Sequence, residues 1–125
     1  SFNEFALQNK ISKKDMAQID IALDDLSNNI ISYGFDDKNT HDINFYGELS
    51  GIKLIIKIVD EGKEFNLLNL EKPDLTQTAE ERNMGGLGIH LVKSIMDDVK
   101  YKRSKGSNKI TILKRVEFSD VENNR

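Results

Sequence analysis

From Met16 to Tyr33, apolar residues recur at spacings of three and four: Met16, Ile19, Leu23, Leu26, Ile30 and Tyr33. That is one stripe of an amphipathic helix. Ser12 stands where it can cap the free amides, Asp15 sits in the first turn where the dipole favours a negative charge, and Gly34 ends the run. Before it, Phe2, Phe5, Ala6 and Leu7 read as the end of a helix whose beginning has been cut away. From His41 to Ser50 the pattern becomes an alternation, with Ile43, Phe45 and Leu49 on one side and Gly47 interrupting it. After a turn at Ser50 and Gly51, Ile52, Leu54, Ile56 and Ile58 alternate, which predicts a hairpin. The chain from Glu61 to Met84 has no clear period and holds Pro73, the sole proline, so it reads as a long loop. A second helical stripe follows Gly85, Gly86 and Gly88 through Leu87, Leu91, Val92, Ile95 and Met96. Val99–Lys105 and Lys109–Phe118 read as a last hairpin across Gly106–Asn108, and the tail, residues 119–125, as frayed. This order predicts an α+β fold, a mostly antiparallel sheet with helices on one face.

A length of 125 residues fits one domain over residues 1–125. The absence of cysteine removes disulfides and thiol catalysis, and fits a cytoplasmic home. With 18 basic against 21 acidic residues the net charge is −3, and no basic stripe is visible along the chain, which speaks against nucleic acid. The apolar runs Ile52–Val59 and Leu87–Met96 are interrupted by charge and too short to span a bilayer, so no membrane role is expected.

Three places carry candidate chemistry. Asp25 and Asn29 lie four residues apart, hence on one helix face, where they can offer oxygens to Mg²⁺ or pair an ion-orienting group with a proton acceptor. The same spacing is common on an ordinary solvated face. Asp60 falls in phase with Ile52, Leu54, Ile56 and Ile58, which turns a carboxylate inward. Such a group needs donors, and an adenine amino group is one partner, an ion pair or a strand-end turn another. Gly62 lets the backbone approach a flat ring, or serves an ordinary turn. Gly85, Gly86 and Gly88, with Arg82 before them, open a helix whose free amides and dipole suit an anion, or form a plain hinge. The pattern is neither a dinucleotide fingerprint nor a Walker loop, since no strand leads directly into it and no Lys-Ser or Lys-Thr pair closes it.

Taken together, "ALDDLSNNIISYGF", "IVDEGKEFN" and "GGLGIHLVKSIMDDVKYKRSKGSNKITILKR" resemble the nucleotide-binding fold shared by gyrase, the Hsp90 chaperones, sensor histidine kinases and MutL. Within it, the chain is most similar to the anti-sigma factor serine kinases, from about Ser12 to Arg115. The resemblance implies a two-layer sandwich of the histidine-kinase-like ATPase (Bergerat) type, with ATP and Mg²⁺ as cofactors. It implies that Asn29 binds Mg²⁺, that Asp25 replaces the family's general-base glutamate with a side chain one methylene shorter, and that Asp60 reads adenine beside Gly62. It places Gly86 and Gly88 under the phosphates, with Gly85 just before them, Arg82 at the γ-phosphate, and the lid over residues 61–85. Lys63 and Glu64 stand where the family often has a second glycine. Ser107 and Asn108 fall where many relatives have Gly-Thr near the base, without a role assigned. The family pattern also begins earlier, with a strand and most of a helix before Phe2.

The function implied is an anti-sigma-factor-type serine/threonine protein kinase in transcription regulation, phosphorylating a small antagonist protein, with a sigma factor and a second copy of itself as further partners. Because Asp25 is short, a noncatalytic ATP-dependent binding module stays open beside it. The ATPase half of a sensor histidine kinase and a nucleotide-free interaction domain are further readings. No helical hairpin with an acceptor histidine precedes the site, since His41 and His90 fall in a strand start and in the glycine-rich helix.

Overall fold

A computed structural model describes residues 2–35, 41–69 and 84–119. Helix α1 (Phe2–Gln8) is followed by α2 (Lys13–Gly34), strands β1 (Asn44–Ser50) and β2 (Lys53–Asp60), a 3-10 turn over Leu67–Asn69, helix α3 (Met84–Ile95), and strands β3 (Asp98–Ser104) and β4 (Ser107–Arg115). The sheet order is β1-β2-β4-β3, and all three pairings are antiparallel. The helices cover one face only, which makes an α+β two-layer architecture.

The core lies between Ile19, Ala22, Leu26 and Ile30 of α2, Ile89 and Val92 of α3, and Leu54, Ile56, Ile58, Ile110 and Ile112 of the central strands. Period two along β2 and β4 and period 3.6 along α2 explain which residues reach it. Ser12 caps α2, its hydroxyl accepting from the Asp15 amide at 3.2 Å. Asp15 goes beyond a dipole role. Buried, it accepts the Glu117 amide at 2.7 Å and the Ser12 hydroxyl at 2.9 Å, and Lys114 lies 3.8 Å away. The chain after β4 is thereby stitched to the start of α2. The frayed tail expected from Ser119 must be corrected at its root. Ile11 and Phe118 form a bridge, and the Ser119 amide donates to the Lys10 carbonyl at 2.7 Å, while residues 120–125 lie outside the described residues.

Gly34 ends α2 as expected, though not in the left-handed conformation, and Phe35 follows as extended backbone. Other local expectations are corrected. Ile52 belongs to the β1–β2 turn and is exposed, because Gly51 takes the positive φ of 60° and Ile52 completes the bend. The last hairpin turns at Lys105 and Gly106, both with positive φ, 51° and 81°, so Ser107 and Asn108 are strand residues. Two adjacent residues with positive φ match the right-handed twist of the flanking strands. Phe45, on an edge strand, and Leu91, on the outer side of α3, are exposed. The Phe5 ring lies over Gly47 of β1, where a Cβ would stand 3.9 Å from it, at ordinary van der Waals contact.

Candidate functional site

Asp60 ends β2 on the buried side, with 3% of its surface exposed. An isolated carboxylate there would be costly, and local donors relieve it. Its Oδ1 accepts the Gly62 amide at 2.9 Å and the Asn108 side-chain amide at 3.1 Å. A carboxylate has about four acceptor sites, so two donors at Oδ1 leave its capacity for a further donor unfilled in principle.

Asn108 organises the surroundings. Its Nδ2 also donates to the Lys63 carbonyl at 2.9 Å, and its Oδ1 accepts the Tyr101 hydroxyl at 2.6 Å. Arg103 Nη1 donates to the Gly62 carbonyl at 2.6 Å, and the Lys63 amide donates to the Gly34 carbonyl at 2.9 Å. The loop after β2 is therefore pinned to β3, β4 and the end of α2. Gly62 is required by space rather than by φ, since a Cβ there would stand 2.7 Å from the Gly34 oxygen.

Asn29, 4% exposed, faces the same region from α2. Its Nδ2 donates to the Asp25 carbonyl of its own helix at 2.7 Å, which commits the amide nitrogen inward and leaves Oδ1 as the acceptor. Asp25, one turn earlier, is half-buried, and burial raises its carboxyl above the ordinary range, with Asp24 adding repulsion. A raised carboxylate is a better proton acceptor than a free one. Asn29, Tyr33, Asp60, Phe65 and Asn108 line a common cavity of about 10 Å³. That holds about one water, and the Tyr33 and Phe65 rings stack beside it at 4.8 Å, while Asp60 and Gly62 also line an open hollow of about 670 Å³ with Gly34, Val59 and Lys63.

Helix α3 begins at Met84, not after the glycines. The amides left without an intrahelical acceptor belong to its first residues, Met84, Gly85 and Gly86, while Gly88 lies in the second turn and donates within the helix. Arg82 and the lid beyond Asn69 lie outside the described residues. Among the described residues no cluster of three or more His, Asp or Glu could hold a metal, so a cation here would rest on Asn29 and on oxygens of its ligand. No described helix is long and apolar enough to cross a membrane.

Sequence reasoning brought out Asp25, Asn29, Asp60 and Gly62, and the fold brings the last three to one end of the sheet. It left Asn108 without a role. The one available signal was its position within the last hairpin.

Residues 1–114 match the family described as Histidine kinase-like ATPase domain. The chain belongs to that family. It is similar to the serine-protein kinase RsbW of Bacillus mycoides, 26% identical over 87% of this chain and 69% of the relative. The serine-protein kinase RsbW of Listeria monocytogenes is 25% identical over 99% of this chain and 81% of the relative. Among solved structures it resembles the Acinetobacter baumannii histidine kinase AdeS, with a TM-score of 0.54 and 20% identity over 81% of this chain. The chain spans 47% of that kinase, and the likeness concerns the fold alone.

Proposed function

We propose that this domain binds ATP with Mg²⁺ and acts as an anti-sigma-factor-type serine protein kinase on a small antagonist protein. The observation that carries the reading is Asp60, a buried carboxylate at the end of β2 oriented by Gly62 and Asn108, which would accept the amino group of adenine. Asn29 would hold the cation through Oδ1, and the free amides of Gly85 and Gly86 would face phosphate oxygens at the positive end of α3. Gly88 would lie with Gly86 under the phosphates, and Arg82 would be a γ-phosphate contact in this reading. ATP supplies the transferable phosphoryl group when bound. Asp25 accepts the proton of the antagonist's serine hydroxyl, a task its raised carboxyl suits. The family relationship and the serine-protein kinase names of its relatives support this reading. A sigma factor as second partner, a homodimer and a cytoplasmic location belong to the same proposal.

The shorter Asp25 favours a second reading, in which nucleotide is held and not spent. Incubation with labelled Mg-ATP and an antagonist protein separates the two. Phosphoserine that disappears in Asp25→Ala supports the kinase; tight nucleotide binding without transfer supports the binding module. If ATP at 100 times a plausible dissociation constant fails to stabilise the fold by about 2.7 kcal/mol, both readings fail.

A further inference from the structure

Each strand turns one row of side chains away from the helices, and the register shows what lies on that open face. Lys53 pairs with Arg115; Glu48, Ile55, Leu113 and Asp98 follow one another across the four strands; so do Tyr46, Lys57, Thr111 and Lys100; and so do Asn44, Val59, Lys109 and Lys102. Six cations, Lys53, Lys57, Lys100, Lys102, Lys109 and Arg115, thus share one surface of a chain whose net charge is −3. Among the described strand residues on this face Glu48 and Asp98 are the acids that oppose them, and Asp98 stands 3.6 Å from Lys100. Two of the cross-strand neighbours, Lys53 with Arg115 and Lys102 with Lys109, are like charges directly opposite, an arrangement that costs stability in the free domain. Between the cations runs a half-buried apolar line, Ile55, Leu113 and Val59, beside exposed Tyr46 and a shallow hollow of about 310 Å³ lined by Tyr46, Glu48, Ile55 and Lys57.

We propose that this helix-free sheet face docks an acidic amphipathic helix of a partner protein, with apolar side chains on Ile55 and Leu113 and carboxylates on the flanking lysines. Charge complementarity selects the partner's sign, and an anionic helix also relieves the two like-charge pairs. Four strands span about 14 Å, wide enough for one helix of about 10–12 Å diameter. A second copy of this chain is disfavoured, since a two-fold contact would set lysine against lysine. Single-stranded RNA is disfavoured because the central strands offer no aromatic platform on this face, where Tyr46 alone is aromatic and lies on the edge. An anionic bilayer is disfavoured because the apolar residues sit lower than the lysines. The proposal does not depend on nucleotide, as Asp60 and Asn29 lie on the opposite face.

The test uses the ¹⁵N-labelled domain and a synthetic helical peptide with leucines on one side bordered by glutamates. The expected result is amide shifts at Ile55, Lys57, Lys102, Thr111 and Leu113, reduced by added salt. Binding should weaken about tenfold in Lys57→Glu/Lys102→Glu and in the milder Lys57→Gln/Lys102→Gln, with ATP binding unchanged and melting no lower than the parent's, since Lys102 loses its like-charge partner. Equal affinity for a peptide carrying glutamine in place of glutamate would overturn the proposal, as would shifts mapping to the helical face. Tighter binding of oligouridine or phosphatidylserine vesicles, or self-association that the double variant abolishes, would overturn the choice of occupant.

Discussion

Asn108 donates its side-chain amide to Oδ1 of Asp60 across 3.1 Å, joining the first residues of β4 to the last of β2. Asp60 and Asn108 are also register partners, so the sheet itself sets their separation. Replacing Asn108 with Ala strips a donor from Asp60 and from the Lys63 carbonyl, and an acceptor from the Tyr101 hydroxyl. We expect Asn108→Ala to lose about 1–3 kcal/mol in urea denaturation, the cost of leaving buried polar groups unpaired. Its ATP affinity should fall as well, measured by titration calorimetry, because the Asp60 carboxylate is no longer held in one orientation.

Gly62 gives a sharper steric test. A methyl group there meets the Gly34 carbonyl oxygen at 2.7 Å and Asp60 Oδ1 at 3.0 Å, and the first is backbone that cannot swing aside. Gly62→Ala should cost about 1–3 kcal/mol, the range for overpacking, while Gly51→Ala meets no neighbour and is strained only through its φ of 60°. Loss of the Lys63–Gly34 hydrogen bond in Gly62→Ala would show as faster hydrogen exchange at the Lys63 amide.

Asp25 predicts a pH-dependent trade-off. Burial first, and Asp24 second, raise its carboxyl above the ordinary value of 3.8, so the folded domain holds that proton more tightly than the unfolded chain. Ionised Asp25 therefore costs stability at neutral pH. The cost fades as pH falls through the raised value and is gone below 3.8. Asp25→Asn should melt higher than the parent at pH 7 and equal it at acid pH below that limit. Phosphotransfer by the same variant should drop by about 10²- to 10⁴-fold if Asp25 is the base. An unchanged rate would assign the proton to another group.

The like-charge pair on the open face makes a prediction of opposite sign. Lys109 stands directly across from Lys102, and Lys109→Glu converts repulsion into attraction. The gain should be about 0.2–1 kcal/mol, visible as a higher melting temperature at low salt and diminished at high salt.

Much of this fold is written in periodicity. Met16, Ile19, Leu23, Leu26, Ile30 and Tyr33 mark α2, and the alternation of Leu54, Ile56 and Ile58 carries Asp60 to the inner face, because spacing alone decides which side of a helix or strand a residue occupies. The sites were legible to the extent that their residues are close in sequence, as Asp25 is to Asn29 and Asp60 to Gly62. The turn at Lys105 and Gly106 was misplaced, since a lysine at positive φ leaves little trace in composition. That error hid Asn108 inside a loop.

What only the tertiary structure decided is which distant residues meet. Asn108 reaches Asp60 from 48 positions away, Asp15 fastens Glu117 from 102 positions away, and lysines scattered between Lys53 and Lys109 converge on one sheet face. The sequence by itself determined the elements, their order and the inward direction of Asp60, because those depend on steric and hydrophobic rules acting over a few residues. Partner choice across the sheet depends on strand register, and register is set by how whole elements pack rather than by any local stretch of chain.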